Sequence, residues 1–157
     1  MVVMPRPGVQ DRILLHLRDF SEYSESIEVP FAISQMGIAN AVSIARSNVP
    51  RAIAGLKEEG ILIERQAHIS GVSRKRKAYF LTDIGLEHAN RVYEEYAAFE
   101  FEMISAEGSS KVTIANSPDF LPFPMRAVDI IRYIDDSGAL DVRVLTPEIV
   151  ERDLSKH

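Results

Sequence analysis

Apolar residues fall at helical spacing in the first third of the chain. Ile13, Leu14, Leu17 and Phe20 follow the breaker Pro7-Gly8 and predict a helix over Val9–Phe20. Ser21–Glu28 is polar and acidic and reads as a loop. Ile27–Phe31 contains Pro30, which limits it to an edge strand. Ser34 then suits the N-cap of a helix ending near Val42, with Ile38, Ala39 and Val42 on its apolar side. Gly37 weakens that helix, so packing must hold it. A break follows at Ser43-Ile44-Ala45. The next helix is predicted over Ser47–Glu59, with Val49, Ala52, Ile53 and Leu56 on one face. Pro50 fits only in a first turn, which puts the N-cap at Ser47 or Asn48, and Gly60 is the C-terminal stop.

Strand spacing takes over at Ile61–Ile69. Ser70-Gly71-Val72-Ser73 reads as a hairpin loop, and Arg74–Leu81 as the return strand. Thr82 can cap a further helix, with Asp83 at its positive end and Leu81 and Leu86 placed as a hydrophobic staple. Ala89, Val92, Tyr96, Phe99 and Met103 step by 3, 4, 3 and 4. That is a narrow coiled-coil-like seam and predicts one long helix to Ile104, acting in dimerisation. Beyond it, Glu107–Ser110 reads as a linker, Lys111–Asn116 as a strand and Ser117–Pro124 as an irregular segment. Met125–Asp135 reads as a helix, Leu140–Leu145 as a strand, and Thr146-Pro147-Glu148 as the start of a last helix. The predicted organisation is an α+β, mainly α, chain. Residues 1–104 form one domain with the long helix, and residues 105–157 a small acidic α/β appendage.

Composition sharpens this picture. The chain has 157 residues, 46% hydrophobic and 26% charged, enough to bury a core without covalent staples. There is no cysteine, so disulfides, thiolate catalysis and cysteine-based zinc sites are excluded. No apolar run approaches a bilayer span and the leading residues lack a signal-peptide core, so a cytoplasmic protein without membrane partners is expected. The net charge of −5 is unevenly distributed. Residues 1–98 hold 12 basic and 12 acidic side chains, and residues 99–157 hold 6 and 11. Within the neutral part, residues 46–77 hold 8 basic against 3 acidic residues. Such a local excess is what a nucleic-acid footprint leaves.

The order of helix, helix, turn, helix, basic hairpin and helix makes a resemblance specific. Ser34–Val42 resembles the second helix of bacterial and archaeal winged-helix regulators. Ile44–Leu62 resembles their recognition helix and its exit. Arg76-Lys77-Ala78-Tyr79-Phe80-Leu81-Thr82-Asp83-Ile84-Gly85 is similar to the end of the wing, where such families often read Y-x-L-T-x-x-G. The likeness is to archaeal-type winged helix-turn-helix proteins and, more loosely, to MarR-like regulators, over about residues 9–100. It implies a DNA-binding transcriptional regulator working as a homodimer on double-stranded DNA.

The residues allow the same chemistry on their own terms. On a wheel of about 100° per residue, Ser47, Arg51, Ala54 and Glu58 lie opposite Val49, Ile53 and Leu56. Arg51 can reach guanine or phosphate, Ser47 and Asn48 can bond bases or phosphate, and small Ala54 permits close approach. Arg74, Lys75, Arg76 and Lys77 at a hairpin tip can neutralise phosphates. The expected DNA-contacting set is therefore Arg46, Ser47, Asn48, Pro50, Arg51, Lys57 and Arg74–Lys77. A competing reading makes the winged helix a scaffold within a protein-interaction adaptor. In either reading the appendage could receive a protein or small-molecule effector, with Phe120, Leu121 and Phe123 a candidate docking segment. His16, His68, His88 and His157 show no metal-ligand spacing, and Asp135-Asp136-Ser137-Gly138 lacks the spacing of a calcium loop. No catalytic motif is present, so neither an enzyme nor a cofactor is expected.

Overall fold

The run Ile13-Leu14-Leu15-His16-Leu17 is apolar around the whole circumference except for one imidazole, and a helix of that kind belongs in an interior. In a computed structural model of the chain, which describes residues 6–155, these residues occupy α1 (Val9–Arg18) and all five are buried. His157 and the leading stretch Met1–Pro5 lie outside the described residues. Helix α1 packs against α2 (Gln35–Val42), α3 (Val49–Glu58), α4 (Asp83–Ala97), α5 (Ala127–Tyr133) and the strand β3 (Lys75–Leu81). The architecture is α+β. Among the described residues it has six α-helices and two three-stranded sheets, joined by short turns.

Local chemistry sets the element ends. The Ser34 hydroxyl accepts a hydrogen bond from the Gly37 N–H at 3.1 Å and donates to the Phe31 carbonyl at 2.6 Å, so one side chain closes the start of α2. Gly37 is more than a weak helix former. A Cβ there would lie 2.1 Å from the Phe31 oxygen, so only glycine lets the preceding turn lie this close. Ser43 ends α2 in the left-handed region (φ 59°). The third helix starts at Val49, at the later of its two predicted N-cap positions. Arg46–Asn48 form a 3₁₀ turn, Asn48 is the N-cap without a side-chain bond, and Pro50 sits in the first turn. Thr82 caps α4 as predicted, accepting from the Gly85 N–H at 3.0 Å.

β2 (Leu62–Ile69) and β3 pair antiparallel from Leu62↔Leu81 to His68↔Lys75, and β1 (Glu28–Val29) adds a short parallel edge. A bridge from Ser34 to Ala78 fastens the start of α2 to β3.

The long helix ends early. α4 stops at Ala97, and Met103 lies in β4 (Glu100–Ser105), not on a helix; Phe99 falls between the two elements. Phe99, Phe101 and Met103 also alternate, which is strand spacing, and pairing with β5 (Gly108–Thr113) decides between the two periods. The residues of the predicted dimer seam are engaged within this chain. Ala89, Val92, Tyr96 and Met103 are buried, and Phe99 packs against the same core. The expected linker at Glu107–Ser110 is the β4–β5 turn and the start of β5. The domain boundary at 104/105 therefore falls inside a hairpin. β6 (Ala139–Asp141) joins β4 in parallel, and Val142–Val144 form a 3₁₀ turn instead of continuing the strand. Helix α5 packs on α1 and α2, and α6 (Pro147–Leu154) packs on α2, so residues 105–155 complete the same core.

Arg126, at the N-cap of α5, ties this second half to α1. Its Nη1 donates to Nδ1 of His16 at 3.0 Å, and Nε2 of His16 lies 2.7 Å from the Ala32 carbonyl. Because the guanidinium can only donate, the ring proton belongs on Nε2. The same guanidinium pairs with Asp129 (3.3 Å) and Asp19 (3.6 Å) and lies over the Phe20 ring. Burial, reinforced by the Arg126 charge, pushes the His16 pKa down to about 3.

Two predictions come from this packing. The unfolded state takes up a proton on His16 near its ordinary value of about 6.5, whereas the folded state does not. Stability should therefore fall as the pH drops below that value, by about 2 kcal/mol at about pH 5. Asp19 and Asp129, raised by desolvation against the pull of Arg126, act in the opposite direction at the lower pH of carboxylate titration. Urea unfolding at neutral and mildly acidic pH should show this loss in the wild type and not in His16→Gln. Gly37→Ala and Gly85→Ala, whose new Cβ atoms would lie 2.1 Å and 1.8 Å from the Phe31 and Ile61 oxygens, should each lose about 1–3 kcal/mol, read as a lowered thermal midpoint.

Candidate nucleic-acid interface

The inner face of α3 carries Val49, Ile53 and Leu56, all buried against the core. Burying that stripe turns the opposite face outward. Pro50, Arg51 and Ala54 are exposed on α3, and Arg46, Ser47 and Asn48 are exposed on the 3₁₀ turn just before it. The hairpin works by the same logic. Ala78–Leu81 are buried and root β3 in the core, whereas Arg74–Lys77 reach beyond it and are exposed.

A groove of about 670 Å³ runs between the start of α2, the turn before α3, and the hairpin. Its walls include Ser34, Gln35, Met36, Arg46, Gln66, Lys75, Arg76 and Lys77, and no acidic side chain lines it. Four of the predicted residues therefore share one concavity. Arg74 lies at the adjoining tip, and Ser47, Asn48, Pro50 and Arg51 form the exposed leading end of α3 beside Arg46. Lys57 stands apart, near the C-terminal end of α3, with its Nζ 3.4 Å from Glu64. Glu64 also approaches Lys77 at 4.0 Å, so one carboxylate offsets two of the cations. Among the described residues, Arg46, Arg51, Arg74, Lys75 and Arg76 form no ion pair. Fixed positive charge without a local counter-charge favours a polyanion.

Arg65 belongs to the basic run of residues 46–77 but has another task. It donates to the carbonyls of Tyr23, Ser24 and Ser26, at 2.7 Å for the last, and stacks over Phe80, which holds the acidic loop to the sheet. Gln35 was not predicted as part of the site. Its Nε2 donates to the Tyr79 hydroxyl at 3.0 Å and so ties the start of α2 to β3. Burial of Tyr79 raises its pKa to about 12 and keeps the phenol neutral. Gln66, on the other strand of the hairpin, lines the same groove. The only sequence signal for either glutamine was a polar position next to a predicted element end or hairpin.

No protein-family model matches the chain, and no curated protein matches it. A solved structure from Ralstonia eutropha JMP134, named a "putative DNA-binding protein", is 22% identical. The match covers 54% of this chain and 94% of that one, with a TM-score of 0.39. This likeness is too distant to carry fold or function across.

Among the described residues, no three His, Asp or Glu side chains gather as a metal site and no helix is long and apolar enough to cross a membrane. His16 is buried against Arg126, His68 is exposed on β2 and His88 is half-buried on α4.

The Gln35–Tyr79 bond fixes the groove's width at one end. Tyr79→Phe should lower stability by about 1 kcal/mol without changing the urea m-value, measured by equilibrium unfolding.

Proposed function

We propose that this protein is a winged helix-turn-helix DNA-binding protein acting as a transcriptional regulator. In this reading α2 and α3 are the helix-turn-helix and β2–β3 the wing. The observation that carries it is the acid-free groove in which Arg46 meets Lys75, Arg76 and Lys77, next to the exposed leading end of α3. That end carries Ser47, Asn48, Pro50 and Arg51. It presents small and hydrogen-bonding groups with one arginine, a set that suits base edges and phosphates in a major groove. The wing cations would sit on the adjacent backbone, where each neutralised phosphate releases counterions. Glu58 and the Lys57–Glu64 pair lie toward the other end of α3, away from the contact. The unit that engages DNA in this proposal is one chain. A homodimer would need a surface other than Ala89, Val92 and Tyr96, which this chain buries itself.

Fluorescence anisotropy on random-sequence and genomic duplexes tests the proposal. With five unpaired cations at the interface, the logarithm of the association constant should fall against the logarithm of salt concentration with a slope of about −4 to −5. Arg46→Glu/Arg76→Glu should bind at least about tenfold more weakly at low salt. Glu64→Gln, which frees Lys57 and Lys77, should bind about threefold more tightly. A wild-type protein that binds DNA no better than the doubly substituted one would overturn the proposal.

A further inference from the structure

Away from the groove, three arginines converge. Arg6, Arg12 of α1 and Arg132 of α5 line a cavity of about 140 Å³ beyond the C-terminal end of α2, closed otherwise by Pro7, Val128 and Ile131 among others. Each guanidinium is held in place by a backbone carbonyl. Arg12 Nη1 donates to Val42 at 2.7 Å, Arg132 Nη1 to Asn40 at 2.8 Å, and Arg6 Nη2 to Ile134 at 3.2 Å. The first two bonds close the last carbonyls of α2, which is ordinary helix capping. Capping does not account for the rest of the arrangement. Arg12 Nε is buried and has no hydrogen-bond partner. No carboxylate lines the cavity; Asp136 pairs with Arg6 from a fully exposed position, and the buried Asp129 acts on Arg132 from outside the lining. Burial lowers the pKa of Arg12, and the charge of Arg6 lowers it further.

We propose that this cavity binds a small oxyanion, a phosphate or a short carboxylate, held by the guanidinium groups of Arg6, Arg12 and Arg132. Guanidinium forks match paired oxygens, and the bound charge would satisfy Arg12 Nε and offset the repulsion between Arg6 and Arg12. A volume near 140 Å³ accepts an ion of a few heavy atoms and excludes a nucleotide or a DNA backbone. The occupant would bridge α1, α2 and α5, joining the two halves of the chain beside α2. The proposal is independent of the DNA reading, since none of its residues lies in the hairpin groove.

The test is isothermal titration and thermal unfolding of the full chain without DNA, at constant ionic strength set by sodium chloride. Inorganic phosphate is the probe in one arm and acetate in the other. Saturable binding is expected in at least one arm, with a rise in thermal midpoint that follows the occupancy; the tighter arm identifies the ligand as phosphate or carboxylate. Arg6→Ala, at a largely exposed side chain, should weaken that binding by at least about tenfold. Arg12→Lys keeps the charge but removes Nε and should weaken it too. Arg74→Ala, in the hairpin, should leave it unchanged. Absence of saturable binding in both arms, or equal binding by wild type and Arg6→Ala/Arg132→Gln, would overturn the proposal.

Discussion

A buried imidazole with both nitrogens engaged holds this molecule together. His16 is fully buried in α1, the helix against which α2, α3, α4 and α5 all pack. Nε2 faces the carbonyl of Ala32, three residues before the start of α2, and Nδ1 faces the guanidinium of Arg126, one residue before α5. A neutral ring can satisfy both because it donates on one side and accepts on the other. The ring thereby sets where α2 begins relative to α1 and where the C-terminal half docks. Asp19, Asp129 and Phe20 surround the same guanidinium, so the cation that enters the interior is paired and stacked.

With α1 fixed, the geometry of the basic groove follows from burial on its inner side. Val49, Ile53 and Leu56 anchor one wall, and Ala78–Leu81 anchor the other. The cations occupy positions left facing outward once those anchors are buried. One backbone contact and one side-chain contact keep the walls close. Ser34 bridges to Ala78, and Gln35 reaches the Tyr79 hydroxyl. Glycine makes two approaches possible that any side chain would block: Gly37 against the turn at Phe31, and Gly85 against Ile61 where α4 leaves the sheet. Both ends of α2 thus border charged cavities, the hairpin groove at Ser34–Met36 and the three-arginine cavity at Ala41–Ser43.

Much of this was readable along the chain. The caps Ser34 and Thr82, the start of the last helix at Thr146-Pro147-Glu148, the first-turn Pro50, the hairpin loop at 70–73 and the outward face of α3 all came from rules that act within a few residues. The candidate cations could be named for the same reason, because an amphipathic helix or strand decides its outer face from its own sequence. The early end of α4 could not be read. Phe99 and Met103 fit a helical and an alternating period equally well, and the hydrogen bonds of β4 to β5 and β6 come from residues up to some forty positions away.

The sequence by itself determined the local elements, their exposed faces and the concentration of positive charge between residues 46 and 77. The tertiary structure alone decided that residues 105–155 complete the first core instead of standing apart. It also decided that the Ala89–Tyr96 face is covered by α1, that Glu64 neutralises Lys57 and Lys77, and that three arginines distant in sequence share one cavity. The reason is physical: caps and periodicity depend on neighbours in the chain, whereas ion pairing, burial of an imidazole and cavity charge depend on groups brought together only when the helices pack.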